Sequence, residues 1–220
     1  ISEKQNKYVK IINKNSNELL YFLEKFLEFS QAESSLYAND YQTFDIVNVI
    51  QNIIKNNENA IATKNLEVSF DCEELQKKAV YSDENAIKII LQNILETSIK
   101  LTDVGSITIK ISTPEAEIVE GSGIQTNIEN STAQAASYVR ISITDTGMGL
   151  AESELEGIFE PYTQLDKISK KMLVRSISLG TAALIVKHLK GSIWVESEVM
   201  KGTTFNVILP VEKEVKSDNE

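Results

Sequence analysis

The sequence predicts an α+β chain, one long helix followed by a domain in which helices alternate with strands. Three observations predict it. Apolar residues recur at three- and four-residue steps across residues 3–34, with no Gly or Pro to interrupt them. Apolar and polar residues alternate at 66–70, 106–112 and 138–144, with a helical apolar run at 83–100 between the first two. Two more strand-like runs, 192–196 and 203–209, flank a turn at Lys201-Gly202 and close the chain.

In order, Val9, Ile12, Ser16, Leu19, Leu23 and Phe26 mark the stripe of the first helix, and Leu20, Phe22, Leu27 and Phe29 widen it. A helix this apolar needs a partner, from further sequence or from a second subunit, unless it packs on the domain that follows it. Residues 38–43 read as a polar link and 44–57 as a second helix with Val47, Ile50 and Ile54 on one face. Residues 66–70 and 79–82 read as strands, and Asp83 caps the helix that runs to about Lys100. Gly105 marks a turn before the strand at 106–112. Residues 113–137 are rich in Asn, Ser, Thr and Ala and read as a long mobile hairpin loop. The strand at 138–144 is expected to pair with the strand before that loop. A mixed segment then leads to a short helix at about 181–189 and to the closing strands. The expected division is 1–40 for the helical segment, 44–213 for the domain with 113–137 as an insertion, and 214–220 for a frayed tail.

Composition narrows the chemistry. The 220 residues are 42% hydrophobic and 25% charged, as in a globular protein. A formal net charge of -10 argues against nucleic acid or anionic lipid as the main partner. No apolar run is long enough to span a membrane, so no membrane contact is expected within these residues, and no signal peptide is visible. The single cysteine, Cys72, excludes an internal disulfide and a cysteine-cluster zinc site and fits a reducing cytoplasm. The single histidine, His188, excludes a His-pair metal site. Gly-x-x-x-x-Gly-Lys-Ser/Thr and Gly-x-Ser-x-Gly patterns are both missing. The start at Ile1 without Met reads as the start of a fragment.

Four segments carry further information: Asp145-Thr-Gly-Met-Gly149 at the end of a strand; Gly191-Ser-Ile-Trp-Val-Glu-Ser-Glu198 followed by Lys201-Gly-Thr-Thr-Phe-Asn-Val-Ile-Leu-Pro210; Leu91-Gln-Asn-Ile-Leu-Glu-Thr-Ser-Ile-Lys-Leu-Thr102 on the long helix; and Phe159-Glu-Pro-Tyr162. In these segments, and in the order of its elements, the chain resembles the ATP-binding domain of sensor histidine kinases with its dimerisation helix. The resemblance covers nearly the whole chain. It implies a Bergerat-type ATPase α/β sandwich, a mixed sheet packed on helices. It implies a module of two-component signal transduction that uses ATP and Mg2+, forms a homodimer or heterodimer through the first helix, and meets a response regulator or partner kinase in the cytoplasm, free or as the cytoplasmic part of a membrane-bound sensor.

The resemblance also implies the site. Asp145 would accept a hydrogen bond from the adenine amine, as an acceptor-only carboxylate can. Gly147 and Gly149 would let backbone approach the base. Asn93 and Lys100 would face the phosphates, and Asn93 with Thr97 would hold the metal; the other reading is that Asn93 and Thr97 are polar positions on a partly buried helix. Lys167, Lys170, Lys171 and Arg175 would meet phosphate or simply lie in a solvated lid.

The departures are as informative. The family has a second Asn where this chain has Thr97, and often an aromatic where it has Leu101. The family's glycine-rich phosphate stretch is reduced to Gly180 within Ser178-Leu-Gly-Thr-Ala-Ala-Leu184. The family's acceptor histidine has no counterpart, and His188 stands elsewhere, in the last helix. The expectation is a module with impaired nucleotide binding, a pseudokinase acting by partner interaction. The alternative is an active core that transfers the ATP γ-phosphoryl group to a histidine on the dimerisation helix.

Overall fold

The structure is a computed structural model. It describes residues 2–34, 40–73, 75, 78–114, 138–160 and 170–211, with backbone alone at 170–173. The expected loop beyond residue 114, Tyr162, Lys167 and the charged tail lie outside the described residues, as do the side chains of Lys170 and Lys171.

Helix α1 (Glu3–Glu33) opens the chain. Ser2 caps it reciprocally, its hydroxyl accepting from Gln5 N while Gln5 Oε1 accepts from Ser2 N at 2.8 Å. Side chains 2–20 are exposed; beyond them one face carrying Lys25, Phe29 and Ala32 is buried. There follow β1 (Tyr41–Asp45), α2 (Ile46–Asn56), α3 (Glu58–Lys64), β2 (Glu67–Asp71), β3 (Ala79–Asp83), α4 (Glu84–Leu101), β4 (Ser106–Ser112), β5 (Tyr138–Asp145), α5 (Glu152–Leu155), α6 (Lys170–His188), β6 (Ser192–Glu198) and β7 (Gly202–Pro210).

The five-stranded sheet has the order β2-β4-β5-β7-β6, and β1 with β3 forms a separate pair. β2 and β4 are parallel and the other neighbours antiparallel, so the sheet is mixed. The parallel pair requires a crossover, which α4 supplies. β4 and β5 pair as expected, with Ile109 opposite Ile143. Alternation turns Ile107, Ile109 and Ile111, Val139, Ile141 and Ile143, and Phe205, Val207 and Leu209 into one buried face. Ile50 and Ile53 of α2 and Leu91 and Leu95 of α4 meet Ile109 and Ile143 over it. Each such side chain contributes about 1.5–3 kcal/mol on burial. The other face is polar: Ser69 donates to Thr108, Ser142 donates to Asn206, and the Arg140 guanidinium lies over the Trp194 ring.

Three segments differ from expectation. Residues 41–45 are a strand rather than a link and the start of a helix, with Phe44 buried opposite Val80. Asp45 ends that strand and caps α2, its carboxylate accepting from Val47 N at 2.8 Å and Asn48 N at 3.2 Å. Residues 58–64 form α3, which no periodicity announced. The largest difference is α6, expected only at about 181–189 and found from Lys170. Packing against α4, α1 and β6 outweighs the weak helix propensity of Ser176, Ser178, Gly180 and Thr181.

Helix α4, which carries most of the candidate site, is fixed at both ends. Asp83 caps its start, accepting from Ala86 N at 2.9 Å and from Asp40 N at 3.2 Å. At its C-terminus the Lys64 ammonium donates to the carbonyls of Ile99 at 2.8 Å and Thr102 at 2.9 Å and pairs with Asp103.

Candidate functional site

The site has three parts: the turn after β5, one face of α4, and α6. At the turn, Asp145 is buried at the end of the central strand. Its Oδ1 accepts from Gly147 N at 3.0 Å, and its Oδ2 has no hydrogen-bond partner among the described residues. Burial raises its pKa; the Gly147 N–H, the nearby Ser98 hydroxyl and the Thr203 N–H offset this only in part. The Ser98 hydroxyl lies beside the carboxylate but does not complete a well-formed hydrogen bond to Oδ2. An acceptor held buried with one free oxygen suits an amine donor from a ligand. The glycines answer first to the scaffold. A Cβ at Gly147 would stand 2.6 Å from the Leu101 carbonyl oxygen. Gly149 has φ +66, and a Cβ there would collide with the Glu198 carbonyl.

On α4, Asn93, Thr97 and Lys100 share a face through their spacing. Asn93 is fully buried, and its Oδ1 accepts from the Lys25 ammonium of α1 at 2.8 Å. Its Nδ2 has no partner among the described residues. Thr97 turns inward, its hydroxyl donating to the Asn93 carbonyl at 2.7 Å. Glu96 faces α1: Lys25 lies 3.6 Å from its carboxylate, and the Tyr21 hydroxyl donates to it at 2.6 Å. Lys100 donates to the Tyr21 hydroxyl at 2.6 Å and lies 4.2 Å from the centre of its ring. Burial pushes the Glu96 carboxyl up, but Lys25, Gln92, Tyr21 and Lys100 together hold it below the usual carboxylate range. Burial lowers the Lys100 ammonium, which Glu96 only partly restores, and Lys25 lowers it further. The Tyr21 phenol is pushed well above its ordinary range by burial and by Glu96.

Gly180 lies inside α6, flanked by buried Ser178, Thr181 and Ala182. The N–H groups of 178–182 are therefore directed along the helix to carbonyls four residues back, rather than into a ligand cradle. Arg175, largely buried, is committed to the partly exposed Glu154 at 3.1 Å. His188 is exposed at the helix end.

The structure thus brings Asn93, Thr97 and Lys100 together on one helix face, sets Asp145, Gly147 and Gly149 in the adjoining turn, and folds Gly180 into α6. It adds Tyr21, Lys25 and Glu96, which the sequence did not single out. One signal was available: Lys25 falls within the apolar stripe, between Phe22 and Phe29, where a lone charge needs a counter-group. These residues fit a nucleotide at its base, through the free Asp145 oxygen, and at its metal, through the oxygen donors of Asn93 and Glu96. They do not fit its phosphates in this state, because α6 uses its own backbone donors.

Comparison with known proteins agrees with the fold. The family model described as histidine kinase-, DNA gyrase B-, and HSP90-like ATPase matches residues 82–213. The autoinducer 2 sensor kinase/phosphatase LuxQ of Vibrio vulnificus is 28% identical over 214 residues, covering 94% of this chain and 22% of that protein. The hybrid signal transduction histidine kinase L of Dictyostelium discoideum is 26% identical over 223 residues, covering 100% of this chain and 12% of that protein. The chain therefore spans less than a quarter of the length of either curated relative. Among solved structures, full-length ShkA in complex with AMPPNP superposes with a TM-score of 0.73 at 19% identity, over 97% of this chain and 40% of that one. The histidine kinase ThkA in complex with the response regulator TrrA superposes with a TM-score of 0.68 at 21% identity, over 98% of this chain and 54% of that one.

Proposed function

The chain belongs to the histidine kinase-, DNA gyrase B- and HSP90-like ATPase family, and we propose from this that it is a signalling module of sensor histidine kinase type whose hold on nucleotide is weakened and which acts through its partners. The observation that carries this reading is α6. Its helical backbone occupies the stretch where the family resemblance implies glycine-rich main chain, and its N–H groups are already spent. Thr97 points the same way, since its hydroxyl is turned to the Asn93 carbonyl. The base end keeps its acceptor in Asp145, so adenine recognition persists while phosphate recognition falls.

The partners proposed are a second protomer, in a homodimer or heterodimer, and a response regulator or partner kinase. Ile12, Leu19, Leu23 and Phe26 are all exposed along α1, and a second helix would cover them. ThkA was crystallised with a response regulator, which makes that class the partner to test. Among the described residues no helix is long and apolar enough to cross a membrane. The proposed setting is the cytoplasm, free or as part of a membrane-bound sensor, where ATP and Mg2+ are supplied.

Calorimetric titration with ATP and Mg2+ tests this. The expected affinity is far weaker than micromolar. Thr97→Asn with Ser178→Gly and Ala182→Gly is expected to tighten it, because each new glycine weakens α6 by about 1 kcal/mol and frees main chain. Micromolar, magnesium-dependent binding by the unaltered chain defeats the weakened reading. It would favour the second one, an active core transferring the γ-phosphoryl group to a histidine on a dimerisation helix. The unpartnered Asp145 oxygen supports that alternative. Transfer of labelled phosphate to a supplied acceptor helix distinguishes the two.

A further inference from the structure

The C-terminal half of α1 packs on α6, and from there Tyr21 and Lys25 reach the α4 face that nucleotide would use. Its contacts there are hydrogen bonds and ion pairs. The Lys25 ammonium is 5% exposed and is held by Asn93 Oδ1 at 2.8 Å, Glu28 at 3.2 Å and Glu96 at 3.6 Å. A buried ammonium among oxygen donors occupies the kind of seat that a hard metal cation occupies. Thr97 has withdrawn its oxygen, so Glu96, one residue earlier, is the second group on α4 that offers one.

At the seat itself the buried Asn93 Nδ2 has no partner among the described residues. An unsatisfied buried donor beside the seat marks a place where water or ligand would complete its hydrogen bonding.

We propose that Asn93 and Glu96 form a cation seat which the Lys25 ammonium fills while α1 is docked, and which the magnesium ion of a bound nucleotide fills when α1 lifts. Docking of α1 and binding of magnesium-nucleotide are then mutually exclusive. This rests on the nucleotide reading above and adds its regulation: the dimerisation helix holds the site closed with its own cation.

The test uses the full chain and AMPPNP, titrated by calorimetry with Mg2+ and again with EDTA. Lys25→Met keeps the apolar stem and removes the charge. It is expected to tighten binding on the order of tenfold, because the competent state is no longer taxed by docking. The gain is expected to vanish in EDTA. On the Lys25→Met background, Glu96→Gln is expected to lower affinity with Mg2+ and leave it unchanged in EDTA. In the unaltered chain, hydrogen exchange over 21–32 is expected to quicken with Mg-AMPPNP and not with AMPPNP in EDTA, a readout that needs no variant. If Asp145→Asn abolishes binding but Lys25→Met binds no tighter and α1 exchange does not respond, the seat is wrong and the nucleotide reading stands. If binding is absent in every variant, or is indifferent to Asp145→Asn, the nucleotide reading fails and this inference with it.

Discussion

Asp145 sets stability against the nucleotide binding proposed for it. Its carboxyl is buried with one oxygen unpartnered, and its pKa is raised by that burial. A carboxyl whose folded pKa lies above its unfolded value penalises the folded state at neutral pH, where it must be charged. The penalty eases as pH falls through the folded pKa and the native state takes up a proton. Asp145→Asn is therefore expected to stabilise the protein at pH 7 by about 1 kcal/mol, with the advantage shrinking toward pH 4; thermal melts across that range check it. The same change is expected to cost adenine nucleotide binding about tenfold or more, since the amide presents a donor to a donor. The neighbouring glycines carry a different lesson. The Asp-x-Gly-x-Gly pattern is legible as a ligand turn, yet Gly147 packs on the Leu101 carbonyl and Gly149 on the Glu198 carbonyl. The pattern marks close main-chain packing first, and Gly149→Ala is expected to lower the melting temperature in the absence of any ligand.

Among the elements, strands were the most legible. The alternation at Ile107, Ile109 and Ile111 and at Val139, Ile141 and Ile143 led to the right strands and the right pairing, because a half-buried sheet leaves a period of two in the sequence. Asp83 likewise announced α4, and it does cap that helix. β1 was lost because Phe44 starts an apolar run that continues into α2; Asp45, which separates the two, was the signal to weigh. α6 was lost for a tertiary reason. It is buried against α1, α4 and β6, so its apolar residues lie on several sides and no single stripe stands out. The Tyr21–Glu96 and Lys25–Asn93 contacts were out of reach altogether, since they join residues far apart in sequence whose nearness only the docked helix creates. Phe29 is buried where α1 docks. Phe29→Ala is expected to remove about 3–5 kcal/mol from that docking and to release α1, seen as faster hydrogen exchange over 21–32 while the sheet stays protected.

At the scale of the whole molecule, the proposed function gives α1 two opposed duties. Its first half exposes Tyr8, Ile12, Leu19 and Leu20, and its second half buries Lys25, Phe29 and Ala32 on the domain. Exposed side chains of this size contribute about 1.5–3 kcal/mol each once covered, enough for a few to hold a helical dimer. Leu19→Lys with Leu23→Lys is expected to leave a monomer at concentrations where the unaltered chain self-associates, as sedimentation would show. The domain itself should keep its melting temperature, because neither residue belongs to its core.

Lys64 gives this arrangement its direction. By anchoring the last turn of α4 while Asp83 anchors the first, the chain makes that helix a stationary jaw. Whatever enters against it has nothing to push on there. On the proposed exclusion the displacement falls to the opposing jaw, α1, which runs outward into a bare shaft some twenty residues long. Under the exclusion proposed above, filling the Asn93–Glu96 seat would act as leverage at a distance, delivered where a second protomer would feel it.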